Sequence, residues 1–202
     1  MPDGLGSASE KKLWRCRKGS LNCRPAMNKR FLGVLLSVVA LSGMPGADTQ
    51  TPQVGQPAPD FSLPSAEGGL VSLKDYKGKW VVLYFYPKDF TSGCTLEAHN
   101  FERDLVKYQS ESAIILGVSA DTAQSHKDFC AKEGLNFKLL ADPELKAVTK
   151  YGSAMEHDGV KMAARNTFLI DPEGKIARVY LQVSPAGHSE QVLKDLAVLK
   201  KG

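Results

Sequence analysis

The residues able to do chemistry gather in one stretch, Tyr86-Pro87-Lys88-Asp89-Phe90-Thr91-Ser92-Gly93-Cys94-Thr95-Leu96-Glu97. Its proline and glycine punctuate a turn between an apolar run and a helix starting near Cys94. Cys, Ala, Phe, Leu and Tyr occupy positions 94, 98, 101, 105 and 108, the stripe that a helix turns toward a core. The sulfur therefore belongs on the inner edge of the first turn. Unpaired backbone N–H groups and the positive end of the helix dipole converge there. Both stabilise a thiolate, the nucleophilic form of cysteine. A small buried thiol that merely packs is the bland alternative, and the strand–turn–helix context weighs against it. Thr91 stands where a Cys-x-x-Cys dithiol would carry its partner. Disulfide exchange within the motif is thus impossible, and a hydroxyl rim suited to a small oxygen-rich substrate remains.

The elements that must hold this segment alternate between strand and helix patterns. Trp80–Tyr86 (WVVLYFY) and Ala113–Val118 (AIILGV) are continuous apolar runs, as expected of strands buried on both faces. Thr167–Ile170 and Ile176–Leu181 flank Asp171-Pro172-Glu173-Gly174, which predicts an antiparallel hairpin. Asp142-Pro143-Glu144 supplies an N-cap, a first-turn proline and an acid for a helix closed by Gly152. Gly134 ends a short helix containing Phe129 and Cys130, and Ser189–Lys200 forms a terminal helix with Val192, Leu193, Leu196 and Leu199 on one stripe. Parallel-type strands, crossover helices, a hairpin and a last helix indicate an α/β sandwich, one domain over residues 54–202.

With 202 residues, 43% hydrophobic and 24% charged, the chain can bury one real core, which excludes a disordered chain. Four cysteines are too few for a disulfide framework. The formal charge of +4 misleads about partners. Residues 1–47 hold eight Lys/Arg against Asp3 and Glu10, leaving 18 basic and 20 acidic side chains in the remainder. A folded part with a slight acidic excess gives no support to nucleic-acid binding. Met27-Asn-Lys-Arg30, an apolar run over residues 31–41 and a small-residue exit to Ala47 make the three parts of a secretory signal peptide. Eleven apolar residues are too short to span a bilayer of roughly 30 Å, so permanent membrane insertion as an uncleaved anchor, the alternative reading, is disfavoured. Residues 1–26 precede this signal awkwardly, which points to a start at Met27 or to an organellar transit peptide, and Cys16 and Cys23 are discounted with them. The expectation is an exported, periplasmic protein. Residues 48–53, inside the Thr/Gln/Pro/Gly-rich stretch Asp48–Pro59, read as a linker.

Pro87-x-x-x-Thr91-x-x-Cys94 resembles the peroxiredoxin signature. The text around it, VGQPAPDFSL, FYPKDFTSGCTLE and RNTFLIDPEGKI, is similar to the bacterioferritin comigratory protein (PrxQ) subfamily from about Val54 to the C-terminus. The resemblance implies a thioredoxin-like fold with a central mixed β-sheet flanked by helices. It also implies thiol-dependent reduction of hydrogen peroxide and organic hydroperoxides by a monomer needing no cofactor or metal. By the same resemblance Cys94 is the peroxidatic cysteine, Thr91 hydrogen-bonds thiolate and peroxide, and Pro87 shields the site from water. Arg165 would hold the thiolate and polarise the O–O bond; alone it reads as a solvated surface charge. Glu97 matches an acidic position of the motif, with a helix-surface role equally open. Fixed donors around two oxygens are what the transition state needs, and guanidinium, hydroxyl and helix N–H groups supply them without titrating near neutral pH.

The sulfenic acid left by peroxide attack must be resolved before it over-oxidises. One family arrangement puts the resolving cysteine five residues on, where this chain has His99, which forms no disulfide and reads as exposed and bland. The other puts it in the next helix, where Cys130 lies (130 − 94 = 36). The resemblance thus assigns Cys130 as resolving, recycled by a thioredoxin-type dithiol, against a structural cysteine in a one-cysteine enzyme. Forming the bond requires Cα atoms within about 7 Å, so partial unwinding around both cysteines is expected. Phe90 replaces a smaller or polar residue and is expected to narrow the entrance or contact organic hydroperoxides; Ser92 replaces a frequent proline. A non-catalytic thioredoxin-fold binding or chaperone module is the rival from another class.

Overall fold

A computed structural model describes residues 50–201. The predicted signal peptide and the rest of residues 1–47 lie outside the described residues. Five strands form the central sheet: β3 (Trp80–Phe85), β4 (Ala113–Ser119), β5 (Lys138–Ala141), β8 (Asn166–Ile170) and β9 (Ile176–Tyr180), in the order β5-β4-β3-β8-β9. β3 pairs in parallel with β4, and β4 with β5, whereas β8 runs antiparallel to both β3 and β9. The sheet is therefore mixed, as expected.

Alternation along β3 divides the core. Val81, Leu83 and Phe85 enter one cluster with Phe168, Val148 and Tyr151; Val82, Tyr84 and Tyr86 enter the other with Cys94, Phe101, Phe129, Val192 and Leu196. The second cluster collects α1 (Ser92–Arg103), α2 (Leu105–Ser110), α3 (Ala123–Glu133) and α5 (His188–Leu199). The first is covered by α4 (Lys146–Lys150) and the short hairpin of β1 (Ser62–Pro64) and β2 (Leu70–Ser72). Apolar side chains on both faces explain why the β3 and β4 runs do not alternate with polar residues.

Several expectations shift. The stripe running from position 94 to 108 is carried by two helices, because the chain breaks at Asp104. That carboxylate is fully buried and accepts from Arg103 Nη2 at 2.6 Å, Lys107 Nζ at 2.8 Å and Ser189 Oγ at 2.9 Å. These donors hold it far below the usual carboxylate range, Arg103 foremost. Asp142-Pro143-Glu144 does not begin a helix; it makes a turn, and α4 starts at Lys146. Asp142 still serves as a cap, its carboxylate accepting from the backbone N–H of Lys146 at 2.8 Å and Val148 at 2.9 Å. Directly after the residues read as a linker, the chain is tied to the domain: Gly55 N–H donates to Ile176 carbonyl at 2.7 Å and Ala58 N–H to Gly174 carbonyl at 2.9 Å. An exposed hairpin, β6 (Ala154–His157) and β7 (Val160–Ala163), was not anticipated. Its Asp158-Gly159 turn, with φ of 51° and 75°, was the available signal.

Candidate active site

Thr91 is the N-cap of α1 and Cys94 lies in the first turn, so the chain leaves the sheet at Phe85 and delivers the sulfur into the α-helical side of the core. Cys94 is 2% exposed. Arg165 reaches it from the segment between β7 and β8, donating from Nη2 to the sulfur at 3.3 Å. The same guanidinium donates from Nη1 to Glu97 Oε2. A side chain at Gly93 would stand 3.2 Å from Arg165 Nη2, so the glycine gives the guanidinium its approach. The backbone of Arg165 is pinned, its carbonyl accepting from Val183 N–H at 3.0 Å. One planar fork thus spans the Cys94 sulfur and a carboxylate one helical turn away.

Glu97 is not a surface acid. It is 1% exposed, and its Oε1 has no hydrogen-bond partner. Burial pushes its carboxyl up from 4.5 to about 7, against the pull of Arg165. The site therefore contains a group that titrates near neutral pH, which the sequence reading did not include. Burial depresses the Arg165 guanidinium, but Glu97 and Cys94 outweigh it and hold the cation more firmly charged.

The remaining expected residues lie in the loop before α1 (Pro87, Thr91), in α1 (His99) and in α3 (Cys130). Pro87 lies two residues past the end of β3 and is half-buried. Thr91 does not donate to Cys94: its hydroxyl donates to the Lys88 carbonyl at 3.0 Å, which the tight turn brings within reach, and its lone pairs stay free. His99 is exposed as expected, yet it pairs with Glu133 at the end of α3 at 3.0 Å. Cys130 lies in the last turn of α3, half-buried in the same apolar cluster as Cys94, and both thiols are free. Burial first, then Asp89, Glu67 and Glu102, push its thiol up to about 11. Among the described residues no His/Cys/Asp/Glu group has the arrangement of a metal site.

Sequence reasoning missed two buried groups beside the site. His188, the first residue of α5, is 2% exposed with Nε2 2.8 Å from Thr167 Oγ1. Burial, then Arg165, lower it to about 4, so it is a neutral imidazole. The Tyr84 hydroxyl is buried without a partner.

The AhpC/TSA family profile matches residues 54–179. The chain belongs to the AhpC/TSA family. The chain is 42% identical over 151 residues to a putative peroxiredoxin Bcp of Helicobacter pylori, covering 71% of this chain and 97% of that protein. To the peroxiredoxin Bcp of Bacillus subtilis it is 40% identical over 153 residues, 72% of this chain and 96% of the relative. Among solved structures, a cysteine-to-serine variant of Xylella fastidiosa PrxQ superposes with a TM-score of 0.71 at 33% identity, over 75% of this chain and 99% of the other. The Xanthomonas campestris bacterioferritin comigratory protein, studied for alkyl peroxide reduction, gives a TM-score of 0.68 at 34% identity, over 73% and 99%. The fold is thioredoxin-like, and the protein is a thiol-dependent peroxidase.

Proposed function

We propose that the peroxiredoxin reduces hydrogen peroxide and organic hydroperoxides through Cys94. The single observation that carries this assignment is the Arg165 fork, which donates to the Cys94 sulfur at 3.3 Å and to the Glu97 carboxylate. The Cys94 thiolate attacks one peroxide oxygen and the O–O bond breaks. The sulfur keeps that oxygen as sulfenic acid, and the other oxygen departs as hydroxide or alkoxide and takes a proton. Arg165 faces the charge that moves from sulfur to oxygen, and the N–H groups of the first turn and Thr91 line the approach. Pro87 presents no N–H and limits water.

The Cys130 thiol then attacks the Cys94 sulfenic sulfur, forming a disulfide and releasing water. A thioredoxin-type dithiol returns both sulfurs to thiols. Support for Cys130 comes from two solved Xanthomonas campestris peroxiredoxin Q variants, each with one cysteine replaced by serine, at positions 36 apart. That is also the separation of Cys94 and Cys130. Export as a periplasmic monomer is the proposed setting, supported by the signal-like run at residues 31–41; sequencing the N-terminus of the mature protein tests it.

One equivalent of hydrogen peroxide should remove two thiols per chain without forming a covalent dimer. Cys130→Ser should complete the first attack, retain a sulfenic acid and lose sustained turnover with a thioredoxin-type reductant. Full turnover in that variant would remove Cys130 from the cycle.

A further inference from the structure

Two consecutive residues ahead of Cys94 hold α3, the helix that carries Cys130. Asp89 turns inward and is 3% exposed. Its Oδ2 accepts from Ser125 Oγ at 2.7 Å and faces His126 Nδ1 at 2.9 Å, while Oδ1 accepts from the Tyr86 hydroxyl at 2.8 Å. His126 is wholly buried, its Nε2 lying 3.2 Å from the Leu140 carbonyl. Phe90 turns outward: its ring stands edge-on to Phe129 with centroids 5.1 Å apart, and Lys132 Nζ lies 5.4 Å from its centroid. Ser125, His126, Phe129 and Lys132 all belong to α3, with Cys130 among them.

Phe90 has a φ of 60°, a left-handed conformation unfavourable for a residue with a side chain. Such strain persists only where surrounding contacts impose it, and here those contacts are the ones made to α3. None of these groups donates to the Cys94 sulfur. Cys94 is held in its own helix by Arg165, and Cys130 is protonated and half-buried in the closed α3. A buried, neutral thiol is a poor nucleophile, so α3 must loosen before Cys130 can act.

We propose that Asp89 and Phe90 form a clasp on α3 whose release sets the rate at which Cys130 resolves the Cys94 sulfenic acid. This rests on the roles of Cys94 and Cys130 given above. The bond chemistry is unchanged: Cys130-SH and Cys94-SOH give the disulfide and water, and the clasp exchanges no electrons. Opening breaks the Asp89 bonds to α3 and the Phe90 ring contacts while relieving the strain at Phe90, so the closed state is held with little excess. Asp89 and Phe90 are positioning residues.

Ser125→Ala removes one donor from the inner grip, and Phe90→Ala removes the outer one. The full chain is mixed with hydrogen peroxide, quenched in acid at intervals and resolved into thiol, sulfenic and disulfide forms by mass spectrometry. Sulfenic acid formation in Ser125→Ala should stay within about twofold of the wild type, while disulfide formation accelerates about tenfold in each variant. The peroxide concentration that over-oxidises half of Cys94 should rise with it. Phe90→Tyr, which keeps the ring against Phe129, should restore the slower rate. Val148→Ala, buried on the opposite face of the sheet, should lower the melting temperature without changing the disulfide rate.

Disulfide formation that is unchanged or slower in both clasp variants overturns the proposal, as does equal acceleration by Val148→Ala. A wild type that forms no intramolecular disulfide would instead overturn the role of Cys130.

Discussion

Replacing Arg165 with methionine should separate catalysis from stability, because the guanidinium serves the sulfur and the buried carboxylate at once. It supplies a charge-assisted donor to Cys94 at 3.3 Å. Removing one such donor from a developing charge costs about 10²–10³ in rate. The effect on stability depends on pH through Glu97, whose carboxyl burial raises from 4.5 to about 7. Between those values the folded protein binds a proton that the unfolded chain releases, so wild-type stability falls as pH rises from 4.5 to 7 and levels above 7. Without the cation nothing draws the carboxyl back, and it stays protonated well above pH 7. In Arg165→Met the fall therefore continues, at about 1.4 kcal/mol per pH unit. Near pH 7 the variant loses about 1 kcal/mol, roughly one hydrogen bond. By pH 9 the gap widens by up to about 2.7 kcal/mol. Stopped-flow oxidation by hydrogen peroxide at pH 7 reads the first effect, and denaturant melts at pH 7 and 9 read the second. Arg165→Met/Glu97→Gln should recover the loss at pH 9 but not the rate. A variant oxidised within tenfold of the wild-type rate, or a stability gap that does not grow above pH 7, would refute the reasoning.

His188 is lowered to about 4 from 6.5 by burial and then by Arg165, so it adds stability that is present above pH 6.5 and lost as pH falls toward 4, up to about 3 kcal/mol. In His188→Gln, melts compared at pH 4 and 7 should show that dependence flattened; an unchanged slope would assign it to other groups. A Cβ at Gly117 would stand 2.6 Å from Leu139 Cδ2 and 2.7 Å from the Tyr84 hydroxyl. Gly117→Ala should overpack the core by about 1–3 kcal/mol and lower the melting temperature by about 3–10 °C in calorimetry. An unshifted transition would mean that Tyr84 and Leu139 yield freely.

Much of this architecture was legible because local signals agreed. β3, β4 and the β8–β9 hairpin fall within a residue or two of their predicted limits, since unbroken apolar runs and an Asp-Pro-Glu-Gly turn each admit few alternatives. Gly134 closes α3 with a φ of 67°, the left-handed conformation a glycine offers there. Asp142 illustrates the opposite case. A capping residue read correctly in type served a helix that starts later, because its side chain reaches across a turn that the linear pattern does not reveal.

The amino-acid order alone determined that a cysteine sulfur heads a helix behind a buried strand, and that Cys130 is the second thiol within the folded domain. Both follow from contacts close along the chain, or from a motif written in consecutive residues. Only the tertiary structure decided that Glu97 is buried against Arg165, that Thr91 turns its proton to Lys88, and that Asp89 and Phe90 grasp α3. Arg165 stands 71 positions from Cys94 and His126 stands 37 from Asp89. A side chain's burial and charge state depend on which distant segments the sheet brings beside it, and no local pattern encodes that distance.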